Sequence, residues 1–328
     1  MNTKSLRRVL IAGSGSIGRR HVANIKLLRP DAKFAFLRDS AREDEYSRLV
    51  GARVFGSLLD AIDWEPDIAV IATPSHRHHE LIGPILRNNI ASFIEKPVVI
   101  TNVHLNDLQH LAPDAPPTQI GCVLRFLESL RQVYGWLQEG VIGKIARGSL
   151  EVGQWLPDWR PQQDYRLSYS ADSSKGGGVV FDLVHEIDLA CWLFNADYLL
   201  GAWGGLRSSL EIRSEDVALL ALRSADGLPI AVQLDYVSRK PVRRLLAIGD
   251  QGNIHWDLIS KTCVLHRPGK PDVFGKGFNM ADAYITEIQE LIAAVEFGTP
   301  TSLPLIETLR ATRLAIDANS RIRTETGF

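Results

Sequence analysis

The chain has 328 residues, 45% of them hydrophobic, enough to bury a large core and, by length, to form two domains. Its 37 basic and 38 acidic residues nearly cancel, so no global field points to nucleic acid or to an anionic membrane, and neither is expected as a partner. No apolar run approaches the roughly 20 residues that span a bilayer, no signal-peptide core leads into the fold, and Cys122, Cys191 and Cys263 form no Cys-x-x-Cys pattern; a reducing, cytoplasmic location is expected.

The first predicted strand, 9–12, breaks into Gly13-Ser14-Gly15-Ser16-Ile17-Gly18, a Gly-x-Gly-x-x-Gly turn that opens a predicted helix over 17–28. Gly13 permits the tight turn, Gly15 lets the backbone approach a pyrophosphate, and Gly18 lets the helix pack closely on the sheet. The free N–H groups and the dipole of that helix then favour phosphate charge. Three glycines alone also make a plain turn; the flanking strand and helix favour a dinucleotide site. Further strands predicted at 34–37, 68–72, 92–94 and 118–122 alternate with helices at 43–50, 76–88 and 102–111. That rhythm is the signature of βαβ units and a doubly wound parallel sheet.

Twenty residues beyond Gly18 stand Arg38, Asp39 and Ser40. A guanidinium and a hydroxyl suit a 2′-phosphate, whereas Asp39 suits ribose hydroxyls; NADP is favoured over NAD. Ala72-Thr73-Pro74 leaves the 68–72 strand at the edge where such sheets bind ligands, and His76, His78 and His79 follow. No carboxylate or thiolate pattern completes a metal set, so no metal is expected and the segment reads as a helix start beside the cofactor. Glu95-Lys96-Pro97 follows an apolar strand. It is either an exposed ion pair at a strand end or a lysine aimed at the nicotinamide and the reacting oxygen, with Pro97 fixing the turn.

Near Cys122 the rhythm changes. Residues 154–175, rich in Pro, Asp, Arg and Trp, have no period, and such loops are usually functional or mobile. Trp155, Trp159, Arg160, Tyr165 and Arg166 in it are candidates for a substrate mouth, since aromatic faces suit a sugar ring and arginines suit a carboxylate or phosphate; a packed loop is the alternative. After Gly176-Gly177-Gly178, which allows close backbone approach, Asp182, His185 and Asp188 recur every third residue, as on one helix face. His185 suits proton acceptance near neutral pH, with Asp182 or Asp188 orienting it; a polar face making caps and ion pairs is the alternative. Alternation over 231–236 predicts an antiparallel sheet with one wetter face, and helices at 281–297 and 305–319 close the chain.

Together these elements resemble the glucose-fructose oxidoreductase, inositol dehydrogenase and rhizopine-catabolism (Gfo/Idh/MocA) family of NAD(P)-dependent oxidoreductases. The resemblance covers nearly the whole chain. It rests on the glycine turn with Arg19-Arg20-His21, Ala72-Thr73-Pro74 with His78, Glu95-Lys96-Pro97, Arg125-Phe126, residues 140–145 and the 176–188 block. It implies an α/β fold, with an N-terminal Rossmann doubly wound parallel sheet over 1–122 and a C-terminal α/β domain over 123–328 with an open, mainly antiparallel sheet. The last helix is expected to be able to pack back on the first domain, and the chain to form a homo-dimer or homo-tetramer.

The implied reaction moves a hydride between nicotinamide and a hydroxyl-bearing carbon of a small-molecule sugar or sugar derivative. Lys96, Asp182 and His185 match the family's catalytic Lys, Asp and His. Cofactor contacts are expected from Gly13, Gly15, Ser16, Ile17, Gly18, Arg38, Ser40, Thr73, Pro74, His78, Glu95 and Lys96, and substrate contacts from Arg125, Trp159, Arg160, Tyr165, Arg166 and Asp188. The family leaves three residues between its Asp and His, whereas two separate Asp182 from His185, so Asp182 and Asp188 compete for the orienting role. The 182–188 string, with 156–161 and 164–166 upstream, looks like a subgroup associated with bacterial surface-sugar biosynthesis. Two alternatives stand beside the dehydrogenase: a glycosidase using NAD for transient oxidation, and a noncatalytic dinucleotide-binding sensor, which needs neither Lys96 nor His185.

Overall fold

Five predicted strands and one short unpredicted one, Arg53–Phe55, build the first sheet of this computed structural model, which describes residues 5–326; all elements and counts refer to those residues. The strands are β1 (Arg8–Ala12), β2 (Lys33–Leu37), β3 (Arg53–Phe55), β4 (Ile68–Ile71), β5 (Ala91–Ile94) and β6 (Thr118–Ile120). All pair in parallel, in the order β3-β2-β1-β4-β5-β6. The order reverses at β1, which opens a crevice at the carboxyl ends of β1 and β4. Between the strands run α1 (Ser16–Leu28), α2 (Glu45–Val50), α3 (Leu58–Asp63), α4 (His78–Arg87) and α5 (Asn102–Leu111). The core strands read as unbroken apolar runs because helices cover both faces of a parallel sheet: every residue of Ile68–Ile71 is buried.

The chain divides into two compact units, one of residues up to Val123 with Ala281–Leu309, the other of Leu124–Met280 with Arg310 onward. The second unit is therefore not the single run 123–328. Helices α6 (Glu128–Gln138), α7 (Val179–Asp182), α8 (His185–Phe194), α9 (Met280–Phe297) and α10 (Leu305–Thr326) complete the helical set. It is α9, the penultimate helix, that packs on the first sheet: Ile288, Leu291 and Ile292 share a buried cluster with Val9, Ile11, Val70 and Phe93. Arg29 Nε donates to Glu296 at 2.8 Å and ties α9 to the end of α1.

The second unit is built on eight strands: β7 (Ile145–Gly153), β8 (Ala196–Gly205), β9 (Val217–Ser224), β10 (Pro229–Asp235), β11 (Val242–Gly249), β12 (Asn253–Asp257), β13 (Thr262–His266) and β14 (Val273–Phe274). Their order is β14-β13-β12-β11-β7-β10-β9-β8. All neighbours are antiparallel except β10 and β7. Alternation sets its two faces: Ile230, Val232 and Leu234 are buried while Pro229, Ala231 and Gln233 are exposed. On the buried side α8 packs against β7, β8 and β10. Gly148 is needed there, because a Cβ would lie 2.9 Å from the Phe194 ring.

Candidate functional site

In the first unit the glycine turn leaves β1 with Gly13 at φ +98, and a Cβ there would lie 2.4 Å from the Ala72 carbonyl oxygen. A Cβ on Gly18 would meet the Gly13 oxygen at 2.0 Å, so both positions exclude side chains on packing grounds. Gly15 is different: it is exposed at the N-cap of α1, with no described atom within 4 Å of its would-be Cβ. The α1 N-terminus, carrying Ser16 and Ile17, has no side-chain cap and no acid in its first turn. Its N–H groups thus remain available to an anion, and an open glycine beside them is the shape a pyrophosphate requires.

A cleft of about 480 Å³ opens at this turn, with Gly13, Ser14, Arg38, Asp39, Thr73 and Arg77 on its walls and Pro74 beside them. Arg38 lies 4.8 Å over the Phe36 ring and ion-pairs with Asp44 at 3.1 Å. The Ser47 backbone N–H, and then Arg38, pull the Asp44 carboxyl down to about 2. Ser40 is exposed on the same loop. His78, expected to touch the cofactor, is fully buried instead. Its Nε2 donates to the Thr73 carbonyl at 2.9 Å and its Nδ1 lies 3.2 Å from the Val98 oxygen, so it holds the Thr73-Pro74 loop from behind. Burial lowers its pKa and keeps it neutral.

Glu95 also turns inward. Its Oε1 lies 2.7 Å from His21 Nε2, whose ring packs on Phe93 at 4.5 Å. Lys96, in the same motif, is half-buried. Glu287 of α9 is buried in the same region and neither of its oxygens has a hydrogen-bond partner among the described residues. Burial, and next Glu95, push its pKa well up, against the opposing pull of Arg20.

In the second unit Asp182 and His185 do not lie on one continuous helix. Asp182 ends α7 and His185 begins α8, because the backbone leaves helical geometry at Leu183 (φ −101, ψ 27). The glycine run serves the protein itself: a Cβ on Gly177 would lie 2.2 Å from the Tyr169 oxygen, and one on Gly178 2.2 Å from the Glu215 carboxylate. Asp182 accepts the hydroxyls of Tyr169 and of Tyr236, the latter at 2.5 Å. Burial, and then Asp182, push both phenols well above 10, so they remain donors. Burial also lifts the Glu215 carboxyl to about 7. Half-buried His185 sits at the start of α8, and Asp188 is spent on a bidentate pair with Arg125 at 2.7 and 2.8 Å. Arg125 and Asp188, both expected at the substrate, are thus brought together in one ion pair.

Asp182 lines a cavity of about 320 Å³ with Gln154, Trp159, Leu183 and Arg243. Trp159 stands edge-on to Tyr236 at 5.3 Å, and Arg243 pairs with buried Glu186 at 2.8 Å. Arg160 and Tyr165 border a smaller recess with Trp159, while Arg239 covers Trp155 at 3.5 Å. Arg166 is exposed and bound to Asp164 and Glu211 at 2.8 Å, away from this cavity's lining. Residues 154–175 are a chain of four short 3-10 turns. Sequence reasoning missed Tyr169, Tyr236, Arg243 and Arg77; Tyr236 ends an alternating strand and Arg77 sits inside the histidine segment, which was the available signal.

Among the described residues no group of three or more His, Cys, Asp or Glu is placed to hold a metal ion, and no helix is long and apolar enough to cross a membrane. A family model for an oxidoreductase family with an NAD-binding Rossmann fold (GFO/IDH/MocA) matches residues 7–118, and one for the GFO/IDH/MocA C-terminal domain matches 130–255. Inositol 2-dehydrogenase of Leifsonia xyli is 27% identical over 198 residues, 59% of this chain and 55% of that protein. Curated relatives are matched over 47% to 69% of their own length. In solved structures, UDP-N-acetylglucosamine 3-dehydrogenase of Acidithiobacillus ferrooxidans shares the fold at TM-score 0.78 and 18% identity, over 98% of this chain and 99% of that one. Levoglucosan dehydrogenase bound to NADH and levoglucosan does so at 0.83 and 17%, over 97% of each.

Proposed function

We propose that this chain, which belongs to the Gfo/Idh/MocA oxidoreductase family, catalyses reversible hydride transfer between a nicotinamide dinucleotide and a hydroxyl-bearing carbon of a sugar or sugar derivative. The observation that carries the reading is the pairing of an obligatory Gly13 with an open Gly15 at an uncapped helix N-terminus, over a cleft at the order reversal of a parallel sheet. When bound there, the dinucleotide supplies a two-electron acceptor or donor at its nicotinamide ring.

The protein's own part is proton handling and positioning. His185 takes the hydroxyl proton on a ring nitrogen, and Lys96 Nζ supplies positive charge to the reaction. Asp182, on the wall of its cavity, accepts sugar hydroxyls. Trp159 offers a ring face, and Gln154 and Arg243 offer donors. Inositol, levoglucosan and UDP-N-acetylglucosamine, named in the relatives, are all polyhydroxylated rings; nucleotide-linked sugars of surface-sugar biosynthesis are the first class to screen. NADP is the favoured dinucleotide, on Arg38 and Ser40 at the ribose edge.

The test is absorbance of the reduced nicotinamide with free and nucleotide-linked sugars. Lys96→Ala and His185→Ala should each lower kcat by about two to four decades with cofactor affinity nearly unchanged. Full turnover in either variant removes that residue from the reaction. Glycoside cleavage without net cofactor change would replace the dehydrogenase by a hydrolase.

A further inference from the structure

The ribose edge of the first unit's cleft carries two carboxylate–guanidinium pairs, and only one of them is built into the wall. Arg38 is half-buried, stacked on Phe36 and matched by Asp44, the N-cap of α2. Asp39 is the opposite case: its side chain is 82% exposed, and its Oδ1 accepts Arg77 Nη1 at 2.7 Å. Arg77 Nε also donates to Glu80 at 3.2 Å. Asp39 follows β2 and Arg77 follows β4, the strands on either side of β1. The pair therefore bridges the cleft above the strand that feeds the glycine turn, and Arg38, Asp39, Arg77 and Glu80 all line that cleft.

We propose that Arg77 is a specificity-determining residue for the 2′ position of the adenosine ribose, acting by masking the Asp39 carboxylate. The inference rests on the dinucleotide reading above. A bare Asp39 accepts a ribose 2′-hydroxyl and repels a 2′-phosphate. With Arg77 across it that repulsion is cancelled, and the guanidinium's further N–H donors remain for the phosphate. Without Arg77, both Asp39 and Glu80 face the ribose edge uncompensated. The direction of the effect is thus the same whichever dinucleotide the wild-type chain prefers.

The experiment is a fluorescence titration of the full chain with NADH and NADPH at low salt, reading the ratio of Kd for NADPH to Kd for NADH. Arg77→Ala should raise that ratio about tenfold, chiefly by weakening NADPH, since at low salt like charges at an exposed edge act over a Debye length of roughly 30 Å. Arg77→Lys should restore much of it, and Asp39→Asn should lower it. In the Asp39→Asn background the effect of Arg77→Ala should shrink to the part carried by Glu80 and by the guanidinium's own donors, because the masking of Asp39 is already gone. A ratio unmoved by Arg77→Ala overturns the proposal, and so does an Arg77→Ala effect undiminished in the Asp39→Asn background. Failure of the wild-type chain to bind either dinucleotide overturns the underlying reading instead.

Discussion

Gly13 and Gly15 stand two residues apart and carry different loads. A side chain at Gly13 requires an L residue at φ +98 and meets backbone at Ala72, so Gly13→Ala should cost about 1–3 kcal/mol of stability. At Gly15 nothing in the described protein is displaced, so Gly15→Ala should leave the urea midpoint almost unchanged while weakening NADH at least tenfold, as a methyl occupies the space of the pyrophosphate. Urea melts and cofactor titrations of the two variants check this; equal loss of stability would mean that the turn is merely structural. Both glycines were legible because backbone requirements leave a local mark in sequence. Tyr169 and Tyr236 were not: they meet at Asp182 only after a 3-10 loop, a short helix and a strand end are brought together, and nothing in their neighbours in sequence announces it.

At the scale of elements, the apolar period located the core strands and most helices. It failed where a helix is interrupted: three-residue spacing of Asp182, His185 and Asp188 reads as one face, yet the chain turns off helical geometry at Leu183. Glu215, buried against α7, accepts the Val180 N–H at 3.2 Å. Its carboxyl rises from 4.5 to about 7, so the native state binds the proton more tightly than the unfolded chain. The associated stability is complete below about pH 4.5 and is lost as pH rises through about 7. Glu215→Gln should therefore be the more stable protein at pH 8, by on the order of 3 kcal/mol from the size of that shift, with no such gain at pH 4.5. The stacked imidazoles of His79 and His104, 3.6 Å apart between α4 and α5, work in the other sense. Burial, then His79, lowers the His104 pKa below 6.5, so stability present above 6.5 declines as pH falls. His104→Gln should flatten that acid limb in thermal melts; an unchanged slope would show that the stack carries no linkage.

At the scale of the whole molecule, the second unit's sheet leaves one face open. Trp203 and Leu219, paired across β8 and β9, are about half exposed, and the Trp203 ring lies over Gly201, where a Cβ would meet it at 2.3 Å. Leu200 on the same strand as Trp203 is also exposed, and on this apolar surface the expected occupant is a second copy of the chain. Light scattering should find an oligomer that Trp203→Glu with Leu219→Glu converts to monomer; a monomeric wild type at micromolar concentration removes the assignment. Composition and alternation announced such a face, but the division of the chain did not follow from them. The helix at 281–297 has the same period whichever sheet it covers, and only packing reveals that Ile288, Leu291 and Ile292 close the core around β1 and β4.

That distant closure has a cost during synthesis. A ribosome adding about 5–20 residues per second releases the segment ending at Val123 well before Ala281 is made, an interval of roughly 8–30 s. Through that time the nascent sheet shows bare the flank that Ile288 and Leu291 will later cover. The dinucleotide turn is translated well before the helix that completes its own unit, so the sheet waits with one apolar flank uncovered.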